Sequence, residues 1–73
     1  MDIGTIDQIV PVLLEGGFAR NEGETVVFNV ADIGIEKVLG TGRVTHKFTI
    51  SAPAFSGQAK AKIEARGGQA LVV

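Results

Sequence analysis

The sequence predicts an α/β fold: a small single domain of irregular β-β-α turns, with a mixed, partly parallel sheet and two helices. Two observations support this class. Runs of β-branched and aromatic residues alternate with runs whose apolar residues recur at helical spacing. A helix, a Gly-Gly pair and a strand follow one another twice, at residues 13–28 and 63–73. Because a strand–helix–strand crossover returns a strand in the same direction, we expect part of the sheet to be parallel.

Length and composition limit the size of the core and indicate the cellular environment of the chain. Seventy-three residues make one domain with a modest, mainly aliphatic core. The chain has no cysteine, which excludes a disulfide scaffold and a cysteine-based zinc site. No apolar run approaches the roughly 20 residues that span a bilayer. We therefore expect a cytoplasmic chain without membrane contact.

Charge is distributed unevenly along the chain. Residues 2–36 hold seven of the eight acidic side chains and only Arg20 among the basic ones. Residues 37–73 hold six basic side chains against Glu64 alone, about +5 at neutral pH. Such asymmetry favours a negatively charged partner for the C-terminal half. A surface with unevenly scattered, solvated charges is the alternative.

The first predicted element is a helix that follows a loose start. It begins at Thr5, which forms a capping box with Gln8. Its apolar residues recur on one face, and Asp7 falls on the opposite, solvent-facing side. Pro11 predicts a kink, or a helix that begins only at the residue before it. A glycine pair ends the helix, with Gly16 as the left-handed cap.

The middle of the chain is predicted to form strands and turns. We expect a link at residues 18–20, a turn at 21–24, a bend at 31–34, and strands at 25–30 and 35–39. Both strands are so uniformly apolar that we expect burial on both faces. Gly40 and Gly42 then form a tight turn, because glycine allows a positive φ or a close approach.

The last third is predicted to contain a strand, a helix and a terminal strand. Residues 44–52 alternate between apolar and polar side chains, with His46 as the odd member of the apolar side. Ser56 caps the helix, in which Ala59 and Ile63 form the packed stripe. A second glycine pair at 67–68 ends this helix, and residues 70–73 form the terminal strand.

Two features that invite a cofactor or catalytic function are better explained structurally. Gly40 and Gly42 after a strand suggest a dinucleotide loop, but the third glycine is missing and a strand follows instead of a helix. His46 is the only histidine, and a packed or hydrogen-bonded strand histidine is favoured over a catalytic one. No triad, carboxylate pair, P-loop or metal-ligand spacing is present. We expect no enzyme, no cofactor and no small-molecule substrate.

Residues 37–68 carry a resemblance to a known family. The matching positions are Lys37-Val38-Leu39-Gly40-Thr41-Gly42-Arg43-Val44, His46, Phe48-Thr49-Ile50, Ala52, Phe55-Ser56, Ala59, Lys62-Ile63-Glu64 and Gly67-Gly68. In these residues and their spacing the chain resembles the C-terminal domain of the ribosomal large-subunit protein L-fifteen and its archaeal and eukaryotic relative L-eighteen-e. The residue choices look archaeal.

The resemblance implies a structural component of the large ribosomal subunit, in contact with rRNA and with neighbouring ribosomal proteins. It also implies that residues 1–73 are an excised or engineered C-terminal domain. The family's long, basic, glycine-rich N-terminal extension is missing, so we expect RNA binding that is weak or absent. Arg66 stands where the family often has a small residue, which puts the packing of that helix end in question.

The expected RNA-binding set combines cations with the turn glycines. Because no aromatic residues are interleaved with the cations, recognition is expected through phosphates and shape, without base stacking. The expected residues are Lys37, Gly40, Gly42, Arg43, Lys47, Lys60, Lys62 and Arg66. The alternative is a protein-interaction or isolated folding module without RNA affinity of its own.

Overall fold

The computed structural model describes residues 1–73 as three α-helices and two sheets. The helices are α1 (Ile3–Gln8), α2 (Val10–Glu15) and α3 (Gly57–Ala65), with a 3-10 helix at Val30–Ile33. The strands are β1 (Ala19–Glu22), β2 (Thr25–Asn29), β3 (Lys37–Val38), β4 (Lys47–Ala52), β5 (Ala54–Phe55) and β6 (Gln69–Val72). The α/β class is confirmed, but the first predicted helix is two helices. None of the helices has the length and hydropathy that crossing a membrane requires.

The main sheet is mixed, as predicted. Its strand order is β1-β2-β4-β6, with β1 antiparallel to β2 and with β2, β4 and β6 parallel. A second sheet consists only of β3 and β5, which are parallel. The predicted strand at 35–39 therefore shrinks to two residues. The predicted link at 18–20 belongs in fact to β1, because Ala19 and Arg20 pair with β2.

The core lies on one face of the main sheet. Fifteen buried apolar residues form a single cluster that joins the strands to all three helices. Along β4 burial alternates, with Phe48, Ile50 and Ala52 fully buried and the residues between them half-buried. β2 alternates in the same way, which corrects the expectation of strands buried on both faces. One apolar face is enough because all the helices that fill the core pack there.

The N-terminal segment is held in place and is not loose. The Ile3 N–H donates to Leu39 O at 2.8 Å, and the Leu39 N–H donates to Met1 O at 2.9 Å. This pairing lets α1 begin at Ile3 with Asp2 as its N-cap, two residues before the predicted start. Ile9 separates α1 from α2, and Pro11 lies in the first turn of α2, where proline is tolerated.

Both glycine pairs end helices by the same backbone geometry. Gly17 and Gly67 adopt left-handed φ values of 79° and 78°. In each case the next N–H bonds back to the helix: Phe18 to Leu13 O, and Gly68 to Ile63 O. These are the bonds of a Schellman cap. Gly16 has a right-handed φ, so the predicted cap position is wrong by one residue.

The start of α3 agrees with the sequence prediction. The Ser56 Oγ accepts a hydrogen bond from the Ala59 N–H at 3.1 Å, as an N-cap should. Ala59 and Ile63 are fully buried, which confirms the packed stripe.

Candidate nucleic-acid interface

Residues 40–46, here called the glycine loop, run from β3 to β4 between α1 and α3. Gly40 is buried, and a Cβ placed there would stand 2.3 Å from the Cβ of Gln58 and 2.6 Å from the Ala59 nitrogen. Gly42 has a φ of 99° and packs on α1, since a Cβ on Gly42 would stand 2.6 Å from the Gly4 Cα. Both glycines therefore permit a close approach, and in each case the neighbour is a helix of the same chain.

Two cations at the C-terminal end of α3, Lys62 in its last turn and the C-cap residue Arg66, hold the outer side of the glycine loop. Lys62 Nζ donates to Gly42 O at 2.7 Å, and Arg66 Nε donates to Val44 O at 2.8 Å. The two side chains are four positions apart, so they project from the same face of the helix end. Arg66 therefore packs against the glycine loop, at the helix end whose packing the family resemblance had put in question.

Arg43 and Lys47 are two further cations, on the glycine loop and at the start of β4. Arg43 is exposed and lies between the two loop carbonyls that α3 binds. The Lys47 stem passes the end of α3, with its Cε 3.6 Å from a Cβ placed on Gly67. We call Arg43, Lys47, Lys62 and Arg66 the cationic cluster. Each ammonium has three donors and each guanidinium has five, so one internal hydrogen bond leaves donors free for an anion.

The remaining expected cations lie outside this cluster. Lys60 projects from the opposite flank of α3, roughly 160° around the helix axis from Lys62. Lys60 forms no ion pair with Glu64, although the two are one turn apart. Lys37 is exposed on β3 in the second sheet, where its backbone oxygen accepts from the amino group of Met1. Of the six cations predicted to bind RNA, four therefore form the cationic cluster, and Lys37 and Lys60 lie apart from it.

The inner side of the glycine loop is held by one carboxylate, Asp7 of α1. Asp7 Oδ1 accepts the backbone N–H groups of Thr45 at 2.8 Å and His46 at 3.0 Å. The His46 Nδ1 lies 2.6 Å from the same oxygen, and the Thr45 hydroxyl donates to Oδ2 at 2.7 Å. Asp7 is 8% exposed, which corrects its predicted solvent-facing position. An isolated carboxylate at this depth would be costly, and these donors compensate it.

Opposing effects act on the pKa of Asp7. Burial raises it, but the hydrogen bonds from the side chains and backbone of Thr45 and His46 lower it, and the net shift is downward. The carboxylate is therefore ionised and acts only as an acceptor, so His46 carries a proton on Nδ1. His46 is thus hydrogen-bonded, as the sequence favoured, but it lies in the glycine loop one residue before β4 and not in the predicted strand.

A polar groove lies on the surface where α1 meets the glycine loop. It encloses about 400 Å³ and has no hydrophobic lining; its residues include Asp2, Thr5, Gln8, Thr41 and Arg43. It opens beside the cationic cluster, because Arg43 belongs to both. No group of three or more His, Cys, Asp or Glu side chains is placed to hold a metal ion.

Sequence reasoning missed Asp7 as a structural centre. Its partners lie 38 and 39 positions further along the chain, so no local spacing reveals them. Only an indirect sign of this role is present in the sequence. Asp7 is an acidic residue within a largely apolar helical run, and such a residue needs hydrogen-bond donors from another part of the chain.

Fold and site together define a small α/β domain in which four of the seven basic side chains lie around one loop. The family model that describes the ribosomal proteins 50S-L15 and 50S-L18e, with their counterpart in the 60S subunit, matches residues 1–71, and the chain belongs to this family. The family is one of ribosomal proteins, structural components rather than enzymes, which agrees with the expected absence of enzymatic function.

Curated relatives give the same assignment. A large ribosomal subunit protein uL15 of Methanothermobacter thermautotrophicus is 44% identical over 73 residues, 100% of this chain and 50% of the relative. Proteins of that name from Methanobrevibacter smithii and Methanococcus maripaludis are 38% and 41% identical, over 97% and 94% of this chain and 49% and 47% of the relatives. The chain thus spans about half the length of the curated relatives it matches, corresponding to their C-terminal part.

Proposed function

We propose that this chain is the C-terminal domain of a structural protein of the large ribosomal subunit and that it binds rRNA in the cytoplasmic ribosome. The name of its relatives, large ribosomal subunit protein uL15, supports the assembly. The observation that supports the RNA contact is the cationic cluster, which gathers four cations around a loop of fixed geometry. Neighbouring ribosomal proteins are the further partners we propose.

Each member of the cationic cluster has a distinct proposed role. Arg43 and Lys47 form no ion pair and would bind phosphate oxygens directly. Lys62 and Arg66 would bridge the loop carbonyls and a phosphate with their remaining donors. Gly42 and Gly40 would act indirectly, because their contacts with α1 and α3 fix the loop that carries Arg43. Lys37 and Lys60 are proposed as separate phosphate contacts outside the cluster.

Negative charge elsewhere in the chain does not preclude this contact. Asp7 is the carboxylate that contacts the glycine loop, and its charge is compensated by four hydrogen bonds inside the protein. Asp2 lines the same groove as Arg43, so two carboxylates stand near the loop against the four cations of the cluster. A formal net charge of −1 therefore conceals a locally cationic surface.

The test is the salt dependence of binding to large-subunit rRNA fragments, measured by filter binding. The double variant Arg43→Gln/Lys47→Gln should bind more weakly, and the slope of log K against log salt should flatten by about two units. The matched control is Arg20→Gln, which removes one cation from β1 and should leave the slope unchanged. An unchanged slope in the double variant, or an equal change in the control, would contradict the proposed contact.

The net charge of −1 favours one alternative, a protein-interaction or isolated folding module without RNA affinity. It predicts no retention of any rRNA fragment by the unmodified chain, even at low salt. Retention that disappears steeply as salt rises would exclude it.

A further inference from the structure

The polar groove rests on two stretches of backbone that touch each other. The Gly4 N–H donates to Thr41 O at 3.0 Å, and a Cβ on Gly4 would stand 2.7 Å from the Gly42 Cα. The backbones of α1 and the glycine loop are therefore in direct contact where they line the groove. This contact holds the side chains on the two sides of the groove at a fixed separation, as a preorganised binding site requires.

Several side chains of the groove have free hydrogen-bonding groups. Thr5, Gln8 and Thr41 line the groove, are exposed, and form no side-chain hydrogen bond within the protein. Asp2 also lines it, and its carboxylate forms no capping hydrogen bond. Hydroxyl and amide groups donate and accept, whereas a carboxylate only accepts. The groove thus offers both donors and acceptors to a ligand.

The composition of the lining selects the kind of group that fits. A phosphate inside the groove would meet two carboxylates, Asp2 and Asp7, against the one guanidinium of Arg43. The first backbone N–H groups of α1 cannot hold it, because they already donate to Leu39 O, Thr41 O and Asp2 O. A base gains nothing by stacking, since no hydrophobic residue lines the groove. A neutral group that carries hydroxyls remains, because it can donate to a carboxylate and exchange hydrogen bonds with hydroxyl and amide groups.

We propose that the groove binds ribose 2′-hydroxyl groups of an RNA whose phosphates lie on the cationic cluster, an inference that rests on the proposed function. Arg43 belongs to both the groove and the cluster, so the sugar edge beside a bound phosphate comes next to the polar side chains of the groove. RNA helices display their 2′-hydroxyls in the shallow minor groove, where sugar contacts and shape carry recognition. The groove therefore makes the interface selective for RNA over a strand of equal charge that lacks these hydroxyls.

The experiment compares two probes by filter binding: a large-subunit rRNA fragment, and the same fragment with fluorine in place of every 2′-hydroxyl. Fluorine preserves the A-form geometry and the phosphate charges but removes the hydroxyl donor. We expect the unsubstituted protein to bind the fluorinated fragment about three- to tenfold more weakly. The slope of log K against log salt should be the same for both probes, because the phosphate contacts remain.

A double variant assigns this difference to the groove. Gln8→Met/Thr41→Val removes polar atoms but keeps the side-chain sizes. It should lose about three- to tenfold in affinity for the hydroxyl-bearing fragment and nothing for the fluorinated one, a pattern that a general loss of structure would not produce. Thr41→Ser keeps the hydroxyl and should keep the Thr41 contribution. The matched control, Gln69→Met/Thr49→Val, changes the same residue types on β6 and β4 and should leave both affinities unchanged.

The outcomes separate this inference from the proposed function. Equal affinity for the two probes, with the salt slope intact, overturns the inference but leaves the proposed phosphate contact standing. The inference is also overturned if Gln8→Met/Thr41→Val still discriminates between the probes as the unsubstituted protein does, or if the control variant loses discrimination to the same extent. If neither probe is retained even at low salt, the proposed function fails, and the inference fails with it.

Discussion

The two sides of the glycine loop are held by opposite charges in opposite surroundings. On the inner side, Asp7 of α1 accepts N–H groups and is almost completely buried. On the outer side, Lys62 and Arg66 of α3 donate to carbonyl groups of the loop. The anion uses its charge within the protein, while the cations retain donors that face outward. At the glycine loop, therefore, the one carboxylate that holds the loop is buried inside the protein, whereas the cations that hold it reach the surface.

The difference in burial between the two sides of the loop suggests that they contribute to different properties, the inner side to folding stability and the outer side to binding. On the inner side the Asp7 carboxylate is shielded from water, so removing it leaves its partners without their acceptor. The outer side is more exposed, where single polar contacts contribute less to folding. Changes on the inner side should therefore affect mainly the free energy of unfolding, and changes on the outer side should affect mainly the affinity for a polyanion.

The largest expected effect comes from closing the space between the glycine loop and α3. Gly40→Ala would put a Cβ 2.6 Å from the Ala59 nitrogen, and helix backbone cannot move aside cheaply. We expect a loss of about 2–4 kcal/mol, a large part of the roughly 4–11 kcal/mol available to a chain of this size. Urea denaturation measures the loss.

The control for this substitution is Gly57→Ala in the first turn of α3. Nothing lies within 4 Å of a Cβ at Gly57, and its φ is not positive. The variant should be as stable as the original chain or more stable by about 0.5 kcal/mol. Equal losses in both variants would show that the contact between Gly40 and α3 is not the cause.

The next effect comes from removing the charge on the inner side. Asp7→Asn keeps the size of the side chain but replaces one acceptor oxygen with an amide NH2 group. That group would face the hydrogen-bond donors of Thr45 and His46 and could not accept from them. We expect a loss of about 2–3 kcal/mol in urea unfolding. The control is Asp2→Asn, because the Asp2 side chain forms no capping hydrogen bond. If the two variants lose the same stability, Asp7 does not have the role described.

Acid should reproduce part of that loss without a substitution. Because the pKa of Asp7 is lowered on folding, its contribution is complete above the ordinary aspartate pKa of about 4 and disappears as the pH falls further, through the lowered value. Thermal unfolding followed from neutral pH to about pH 2 should show this decline. In Asp7→Asn the decline should be shallower, and an identical pH profile would contradict the assignment.

The smallest effect is expected on the outer side. Lys62→Met keeps the apolar stem but removes the hydrogen bond to Gly42 O, at an expected cost of about 0.5–1 kcal/mol. Lys60→Met, on the other flank of α3, removes a cation without any such bond and should change stability by less than that. A larger loss in Lys60→Met would show that the outer side of the loop is not stabilised in this way.

What the sequence predicted correctly depends on neighbours along the chain. The Ser56 cap, the Ala59 and Ile63 stripe and the alternation of Phe48 and Ile50 each follow from spacings of two to four residues. The family resemblance also rested on local spacing and is confirmed by the family match over residues 1–71.

What the sequence did not reveal depends on distant partners. Ala19 and Arg20 form a strand only because β2 is available to pair with them. The short β3 exists because β5, from a later part of the chain, lies beside it. Asp7 is buried because Thr45 and His46 supply donors, and neither is near it in the chain. The sequence identified six candidate cations for RNA binding. Only the fold shows that Lys37 and Lys60 lie apart from the other four, which form the cationic cluster.

The most direct test of the proposed RNA contact at the outer side of the glycine loop is a map of backbone amide chemical shifts during titration with a large-subunit rRNA fragment. Shifts should concentrate at residues 41–47 and at the last turn of α3 with Arg66, and should fade together as salt is added. β1 and β2 should remain unchanged. Shifts centred on β1 and β2, or shifts that do not respond to salt, would contradict the account.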